Sequence, residues 1–352
     1  MIYLDHNATA PLLPEVARAM AECYAAGHGN PASLHQSGRR ARQIVEDCRE
    51  AIARMLGADL EGRHPDRLIF TSGGTEANNL AIFGLAGDAP GTVAVSTVEH
   101  PSITAPAEEL RRRGFDVQRL PVSRHGVVEL AAIDSALRSQ PRIVSVMLAN
   151  NETGAIQPVA EIAERCRRAG VRMHTDAVQG AGLWPLDFRA LGIATMTVSA
   201  HKLHGPVGIG ALVVGYGVEL RPSLFGGSQQ GAARPGTESI ALVVGLHKAL
   251  EIARRERTER AARIVALRNR FEQRLLAECP EVIVHAVTAD RLPHVSNVAF
   301  VGADRQAMLI ALDRAGVACS AGSACSSGST EPSPTLLAMG CPKHEVESSL
   351  RF

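Results

Sequence analysis

Short apolar runs alternate with amphipathic stretches along the first two thirds of the chain. The runs are rich in β-branched residues and predict strands, whereas apolar positions spaced three and four residues apart predict helices. The predicted strands are 68–71, 92–96, 143–148, 171–175, 195–199 and 209–214, and the helices between them include 76–86, 102–113 and 159–168. This alternation predicts a mostly parallel sheet covered by helices on both faces, with 209–214 as a candidate antiparallel strand.

The pattern changes in the last third of the chain. A charged helical pattern runs over 239–279 and is followed by a strand, a helix and a strand at 295–301, 305–315 and 317–319. We therefore expect residues 16–259 to form a large domain, and residues 1–15 with 260–352 to form a small α/β domain. The segment 320–333 is rich in Ser, Gly and Ala, a composition that predicts a mobile loop.

Composition narrows the possible functions. The 352 residues are 45% hydrophobic and 21% charged, with a formal net charge of +1, so no global field favours nucleic acid or an anionic membrane. The first ten residues lack a signal-peptide pattern, and no apolar run approaches the roughly 18 residues of a membrane helix. The seven cysteines are scattered without a CxxC pair, which argues against a zinc knuckle or a disulfide framework. We expect a cytoplasmic protein.

A strand, a glycine turn and a helix meet at 71–76, Thr-Ser-Gly-Gly-Thr-Glu. Free backbone N–H groups and the helix dipole at such a junction favour an anion such as phosphate. Junctions of this kind are common, and no Gly-Lys-Ser/Thr follows, so the motif by itself leaves phosphate binding open and is not a P-loop.

Two charged residues follow consecutive predicted strands. Asp176 comes at the end of the strand that begins near Val171, and Lys202 comes after the strand 195–199. The carboxyl ends of parallel strands meet at the ligand-binding edge of a sheet. A lysine that forms an imine and an aspartate that pairs with a pyridinium nitrogen are the two groups a pyridoxal-phosphate (PLP) enzyme needs. An ordinary structural ion pair is the alternative.

Cys325 lies in the segment rich in Gly, Ser and Ala. Little apolar cover is available there, so we expect an exposed thiol of the kind that reacts; an incidental exposed cysteine is the alternative. Cys319 ends a predicted strand and is expected to be packed. His201 and His204 flank Lys202, but no further ligands occur at suitable spacing, so no metal site is predicted.

Together these motifs resemble the cysteine desulfurases of the NifS/IscS type, which are PLP enzymes of fold type I related to class-V aminotransferases. The resemblance implies a large domain with a mostly parallel seven-stranded sheet and a small C-terminal α/β domain. The matching segments follow the family's order along the whole chain: 3–9, 29–33, 71–82, 99–100, 150–154, 176–179, 199–206, 234–237, 322–325, 331–333 and 348–352.

The resemblance implies a role for each residue around the cofactor ring. Lys202 would hold PLP as an imine and later move protons on the substrate. Asp176 would pair with the pyridinium nitrogen, and Gln179 would hydrogen-bond the ring hydroxyl. His100 would stack on the ring face and act as an acid or a base.

The phosphate and the substrate are assigned by the same resemblance. Gly74, Thr75, Ser199 and His201 would hold the phosphate, together with Thr237 from the partner subunit of a homodimer. Asn151 would lie between cofactor and substrate, and Arg351 would clamp the substrate carboxylate in a bidentate geometry. Cys325 would take sulfur from L-cysteine as a persulfide, release L-alanine, and pass the sulfur to an iron–sulfur scaffold or another acceptor protein.

Two departures from the family pattern and three alternatives stay open. The segment 226–234 lacks the acidic residue and the additional arginines that the family usually carries. Relatives continue beyond Phe352, so we expect either a truncated sequence or an incomplete small domain. The alternatives are a selenocysteine lyase, another PLP enzyme of this fold such as an aminotransferase, and a non-catalytic scaffold for sulfur-transfer proteins.

Overall fold

The computed structural model describes residues 1–279, 281–322 and 331–352. The strands are β1 (Ile2–Tyr3), β2 (Arg67–Thr71), β3 (Thr92–Ser96), β4 (Asp116–Leu120), β5 (Ile143–Ser145), β6 (Arg172–Asp176), β7 (Thr195–Ser199), β8 (Gly210–Val214), β9 (Val282–Val284), β10 (Asn297–Phe300), β11 (Val317–Ala318) and β12 (Ser349–Arg351). The helices are α1 (Pro14–Ala25), α2 (Gln36–Met55), α3 (Gly74–Ala86), α4 (Pro101–Arg112), α5 (Leu130–Leu137), α6 (Val159–Arg168), α7 (Phe188–Leu191), α8 (Ile240–Glu278), α9 (Arg305–Arg314), α10 (Pro334–Ala338) and α11 (Lys343–Glu347).

A seven-stranded sheet in the order β2-β8-β7-β6-β5-β3-β4 forms the centre of the molecule. Strands β4, β3, β5, β6 and β7 pair in parallel, and β8 pairs antiparallel with both β7 and β2. The sequence prediction of a mostly parallel sheet with one antiparallel strand near 209–214 is therefore confirmed.

Side chains of alternating residues enter different cores on the two faces of the sheet. Leu68 and Phe70 belong to the large core that also contains residues of α2, α6 and α8. Val93 and Val95 belong to a second core under α3 and α4. Because both faces are covered, the strands are buried almost continuously, as parallel sheets require.

Helix α8 runs for 39 residues, a length of about 58 Å. Apart from Glu272, its buried residues all lie between Ala241 and Ala253, where it packs against α1 and α2. The first third of the helix thus belongs to the large core. Among the described residues, no helix combines the length and apolar character that crossing a bilayer requires.

The last part of the chain forms two small sheets, one of which includes the first strand of the chain. Strands β12, β10 and β9 form an antiparallel sheet, and β1 pairs in parallel with β11. The predicted strand near 317–319 therefore pairs with Ile2 and Tyr3. The division of the chain at residues 15 and 259 stays a prediction.

Several elements differ from the sequence prediction. Strand β4 was not predicted because its sequence Asp-Val-Gln-Arg-Leu is polar, as is common for a strand at the edge of a sheet. Strands β1, β9 and β12 have only two or three residues and carry too little periodicity to recognise. The predicted strand 143–148 ends at Ser145. Part of the predicted mobile loop, residues 323–330, lies outside the described residues.

Candidate active site

A cavity of about 180 Å³ opens at the carboxyl edge of the seven-stranded sheet. It brings together ten of the residues predicted from sequence: Gly74, Thr75, His100, Asn151, Asp176, Gln179, Ser199, His201, Lys202 and Arg351. The sequence analysis gave no role to the other residues that line it: Asn7, Ala8, Asn78, Ser102, Met147 and Val178. Cys325 lies outside the described residues, and Thr237 is exposed and does not line this cavity.

Strand pairing explains why Asp176 and Lys202 meet. Strands β6 and β7 are parallel neighbours, with Asp176 opposite Thr197. Strand β7 ends at Ser199, and a short 3-10 turn, Ala200–Lys202, follows at once. The predicted convergence of these side chains at one edge is therefore confirmed.

Asp176 is buried and held by two donors. Its Oδ2 accepts from Asn78 Nδ2 at 2.7 Å, and its Oδ1 accepts from the backbone N–H of Val178 at 2.9 Å. An ionised carboxylate has about four acceptor positions, so capacity remains for a cationic N–H in the cavity. The arrangement suits an aspartate that pairs with a protonated ring nitrogen.

Asn78 extends this contact into a chain of hydrogen bonds that reaches His100. Its Nδ2 also donates to Ser102 Oγ at 2.8 Å, and Ser102 Oγ lies 2.7 Å from His100 Nδ1. The backbone N–H of Ser102 donates to the same nitrogen at 3.1 Å, which makes Nδ1 an acceptor. The chain therefore fixes the imidazole of His100 relative to Asp176.

His174 orients the side-chain amide of Asn78. Its Nε2 lies 3.2 Å from Asn78 Oδ1, and its Nδ1 lies 2.9 Å from Thr195 Oγ1. Burial lowers the pKa of His174 to about 3, so the ring is neutral at physiological pH. Because Asn78 Nδ2 faces a carboxylate, its Oδ1 must face a donor, and a neutral His174 protonated on Nε2 supplies one.

Glu99 is a buried acid close enough to Asp176 to interact with its charge. Its Oε1 accepts from the backbone N–H of Met147 at 2.6 Å, whereas its Oε2 finds no donor among the described residues. Burial, and then the negative charge of Asp176, raise the pKa of Glu99 to about 8. The group is therefore predominantly protonated at neutral pH.

The amine of Lys202 is held by the N-terminal segment. Its Nζ donates to the carbonyl oxygen of Asn7 and, at 2.7 Å, to that of Ala8. Gln179 Nε2 donates to the Asn7 carbonyl at 3.1 Å, and Asn7 Nδ2 donates to the Asn151 carbonyl at 3.1 Å. Residues 7 and 8 therefore form a cover that connects the lysine to two other predicted site residues.

The opposite end of the cavity suits a phosphate. Helix α3 begins at Gly74, and its N-cap residue Gly73 has no side chain to cap the first N–H groups. Hydroxyl groups of Thr75 and Ser199 line the same end. Burial, and then the charges of Lys202 and His100, lower the pKa of His201 to about 4, so this imidazole enters the site uncharged.

Gly210 permits the close approach of strand β8 to the turn before α3. A Cβ atom there would lie 2.7 Å from the carbonyl carbon of Gly73 and 2.8 Å from the carbonyl oxygen of Val198. Both are backbone atoms that have no room to move. A glycine is therefore required at this position for the turn to sit at the sheet edge.

An ion pair fixes the loop that contains Thr237 to α3. Arg234 donates to both carboxylate oxygens of Glu76, at 2.7 and 3.2 Å, and the backbone N–H of Ser72 donates to Glu76 at 2.7 Å. Although burial alone would raise the pKa of Glu76, these hydrogen bonds lower it. The bidentate pair anchors the loop beside the phosphate end.

Arg351 enters the cavity from β12 and is almost fully buried. Its Nη2 donates to Asp5 Oδ1 at 2.7 Å, and its Nη1 donates to the Asn151 carbonyl at 3.1 Å. Its Nε finds no acceptor among the described residues. A buried guanidinium with a donor left over is suited to an anionic ligand such as a substrate carboxylate.

Both ends of the segment that contains Cys325 are anchored at this site. Ser320 and Arg351 exchange two backbone hydrogen bonds, of 2.7 and 3.1 Å. Ser333 Oγ donates to Glu152 Oε2 at 2.6 Å, next to Asn151. Burial raises the pKa of Cys319 to about 11, so this neighbouring thiol stays protonated, as its predicted packing implied.

The residues present fit PLP. The start of α3, a buried carboxylate suited to the ring nitrogen and the amine of Lys202 all line the one cavity. Asn7 Oδ1 is another buried polar atom that finds no partner among the described residues. Unpaired buried groups in a cavity are those that a ligand completes.

Comparison with known proteins gives a consistent result. Residues 2–352 match the family model described as aminotransferase class-V. The cysteine desulfurase IscS of Dictyoglomus turgidum is 39% identical over the whole chain and 89% of its own length, and the cysteine desulfurase NifS of Azotobacter vinelandii is 37% identical over the whole chain and 87% of its length. The X-ray structure of a NifS-like protein from Rickettsia africae matches with a TM-score of 0.91 at 31% identity, covering all of this chain and 93% of that one.

Proposed function

Because the chain belongs to the class-V aminotransferases and to their cysteine desulfurases, we propose that it uses PLP to convert L-cysteine to L-alanine and leaves the sulfur as a persulfide on Cys325. One observation carries the proposal. A single cavity unites the amine of Lys202, the carboxylate of Asp176 and the buried guanidinium of Arg351. An aminotransferase would share these groups but would not need Cys325.

Bound PLP supplies an electron sink for the negative charge that develops when the substrate loses its α-proton. Asp176 keeps the ring nitrogen protonated, and the hydrogen bonds from Asn78 and Val178 hold the carboxylate in place. Lys202 would hold PLP through Nζ, and during turnover the same atom would accept the α-proton and return it on release of alanine. The carbonyls of Asn7 and Ala8 hold this amine beside the substrate.

Arg351 binds the substrate carboxylate and thereby selects an amino acid. Its contacts with Asp5 and Asn151 fix the guanidinium plane before the substrate arrives. Fixing a bidentate donor in advance reduces the entropy that binding must overcome. Nδ1 of His100 accepts from Ser102, so the proton of the neutral imidazole is on Nε2, the atom that would hold or move a proton on the cofactor side.

Cys325 attacks the substrate sulfur as a thiolate. A new S–S bond forms, the C–S bond breaks, and its electron pair remains on the carbon skeleton, which is protonated and leaves as alanine. Cys325 is five positions after Ser320 in the sequence, a reach of up to about 18 Å. Since Ser320 is hydrogen-bonded to the backbone of Arg351, this reach covers the substrate clamp.

The proposal includes a homodimer in the cytoplasm, in which Thr237 of one subunit contacts the phosphate in the other. The exposure of Thr237, on a loop fixed to α3 by Arg234, supports this. The sulfur acceptor is proposed to be an iron–sulfur scaffold or another sulfur-transfer protein. Residues 16–259 and the combination of 1–15 with 260–352 are retained as the proposed domains.

The test is incubation of the PLP-loaded protein with L-cysteine, measuring alanine, reductant-released sulfide and the mass of the Cys325 peptide. We expect alanine and sulfide in equal amounts and a mass increase of one sulfur atom on that peptide. Cys325→Ser should abolish the production of alanine and of sulfide, whereas the matched Cys319→Ser should retain both products. Unchanged alanine production by Cys325→Ser would overturn the mechanism.

A further inference from the structure

A second group of chemically reactive side chains lies apart from the cofactor cavity. His285 follows β9, Cys341 lies between α10 and α11, and Glu345 is on α11. One ligand atom from each lies within 4.8 Å of the other two. The distance from His285 Nδ1 is 3.7 Å to Cys341 Sγ and 4.0 Å to Glu345 Oε2.

Ser349 fixes the tautomer of His285. Ser349 Oγ donates its proton to the carbonyl oxygen of Glu345 at 2.6 Å, so it accepts from His285 Nε2 at 3.1 Å. The proton of the neutral imidazole is therefore on Nε2, and the lone pair of Nδ1 points toward Cys341 and Glu345. An imidazole oriented by a hydrogen bond at its other nitrogen is the usual arrangement of a metal ligand.

The separations match those of a tetrahedral metal centre. Zinc bonds of about 2.0–2.1 Å to nitrogen and about 2.3 Å to sulfur place those two ligand atoms roughly 3.6 Å apart. The nitrogen and sulfur atoms already have this spacing, at 3.7 Å. The distance of 4.0 Å from His285 Nδ1 to Glu345 Oε2 is about 0.6 Å longer than the corresponding spacing in such a centre, and all three ligand atoms lie within 4.8 Å of one another.

We propose that His285 Nδ1, Cys341 Sγ and a carboxylate oxygen of Glu345 bind one Zn²⁺ ion, with water as the fourth ligand. A mixed set of imidazole, thiolate and carboxylate ligands favours zinc over magnesium or calcium, which prefer oxygen ligands alone. His285 is buried, whereas Glu345 is partly exposed and leaves a solvent-facing side for the water.

Charge and protons balance in this step. The imidazole of His285 binds the ion through the lone pair of Nδ1, since its proton is on Nε2. The thiol of Cys341 gives up its proton to solvent as the Zn–S bond forms. A divalent cation with one thiolate and one carboxylate leaves the site uncharged, which suits a half-buried position.

The ion would join parts of the chain that the backbone does not. It links the end of β9 to the connection between α10 and α11, just before β12 carries Arg351 to the substrate. Its predicted role is therefore to stabilise the small sheet that presents this arginine. The role does not depend on the identity of the substrate.

The test is a zinc titration of the chelator-treated, PLP-loaded protein against a competing chromophoric chelator. We expect one zinc ion per chain, and a melting temperature that rises with zinc concentration because the ion binds only the folded state. Cys341→Ser should weaken binding by at least about 100-fold, since loss of a mere supporting hydrogen bond costs 10–100-fold. The exposed Cys279→Ser is the matched control and should bind zinc like the parent.

Ser349→Ala tests the tautomer of His285, because it keeps all three ligands while removing the acceptor for His285 Nε2 and the hydroxyl that donates to the Glu345 carbonyl. We expect zinc binding to weaken about 10-fold to 100-fold. Co²⁺ should give visible bands of a tetrahedral thiolate complex in the parent and lose them in Cys341→Ser. Should Cys341→Ser fail to fold, Glu345→Gln replaces it. The proposal is overturned if the parent does not bind zinc, or if the affinity is unchanged in Ser349→Ala or in the ligand variant used. Turnover of cysteine separately tests the proposed function.

Discussion

The floor of the cofactor cavity and its substrate side are built in different ways. On the floor, Asp176, Asn78, Ser102 and His100 form one continuous chain of hydrogen bonds, supported by His174. On the substrate side, Arg351 has partners for both terminal nitrogens but none for Nε among the described residues. This chain of hydrogen bonds is continuous without a substrate, whereas Arg351 keeps a donor that a substrate could use.

This difference separates two tasks. A resident cofactor needs a rigid seat whose geometry is fixed before binding, and a closed hydrogen-bond network provides one. A substrate that binds and leaves in every cycle needs a donor that no protein group occupies. Leaving a buried donor unpaired costs about 1–3 kcal/mol, which the folded state tolerates where a ligand later supplies the acceptor.

Lys202→Ala should have the largest effect, because it removes the amine from the cofactor cavity. We expect loss of the absorbance of the lysine-linked cofactor and a fall in turnover of at least about 10⁴-fold, because both covalent attachment and proton transfer are lost. Ultraviolet–visible spectra and alanine production measure these effects. Lys248→Ala, a change in a surface pair with Glu251, is the control. An unchanged spectrum would mean that another lysine holds the cofactor.

Arg351→Lys breaks the substrate side while keeping its charge. A lysine cannot reproduce the bidentate geometry, so kcat/KM for L-cysteine should fall by about 100-fold, chiefly through KM, while cofactor absorbance persists. Steady-state kinetics measure this split, with the exposed Arg314→Lys as the control. A fall in cofactor binding instead would show that the two sides do not act separately.

Asn78→Ala opens the hydrogen-bond chain of the floor. Asp176 and His174 each lose a partner, which should lower the free energy of unfolding by about 1–3 kcal/mol and weaken cofactor binding. Denaturant unfolding and PLP titration measure the two effects. Asn79→Ala is the neighbouring control, because its amide donates only to main-chain carbonyls. Equal effects at both positions would argue against a closed network.

Glu99 sharpens the comparison because it is an incomplete group on the floor side. Its pKa is raised to about 8 by burial and by Asp176, so between pH 4.5 and 8 the folded state holds a proton that the unfolded chain releases. Stability from this group is therefore complete below pH 4.5 and declines as pH rises to 8. The decline reflects the release of at most one proton on unfolding. Glu99→Gln should remove it from unfolding curves measured across that pH range. A parallel pH profile for both proteins would contradict the assignment.

The sequence predicted the parts of the site that depend on strand order. Asp176 and Lys202 follow strands with clear β periodicity, and parallel strands necessarily bring their carboxyl ends together. Asn78 lies within the motif 71–79, but nothing in its spacing indicates that it bonds both Asp176, 98 residues later, and Ser102. Such contacts depend on how α3 and α4 pack, which periodicity does not specify.

The substrate side was accessible only through resemblance to a family. Arg351 reaches the cavity on a three-residue strand, too short to give a periodic signal, and its unpaired Nε depends on where Asp5 and Asn151 lie. The cluster of His285 and Cys341 was not predicted for a similar reason. The two ligands are 56 positions apart in the sequence and meet only when the small sheet forms. Short strands and long-range side-chain contacts are where sequence reasoning loses its physical basis.

The reciprocal backbone hydrogen bonds between Ser320 and Arg351 have a consequence for sulfur delivery. If Cys325 carries the sulfur as proposed, an acceptor protein that pulls on the segment after Ser320 acts on the same backbone that holds the guanidinium of Arg351. Docking of the acceptor and affinity for the incoming substrate are then thermodynamically linked, and the linkage must be equal in both directions. An acceptor that loosens substrate binding is itself released more readily when substrate arrives, which turns two separate encounters into an ordered cycle.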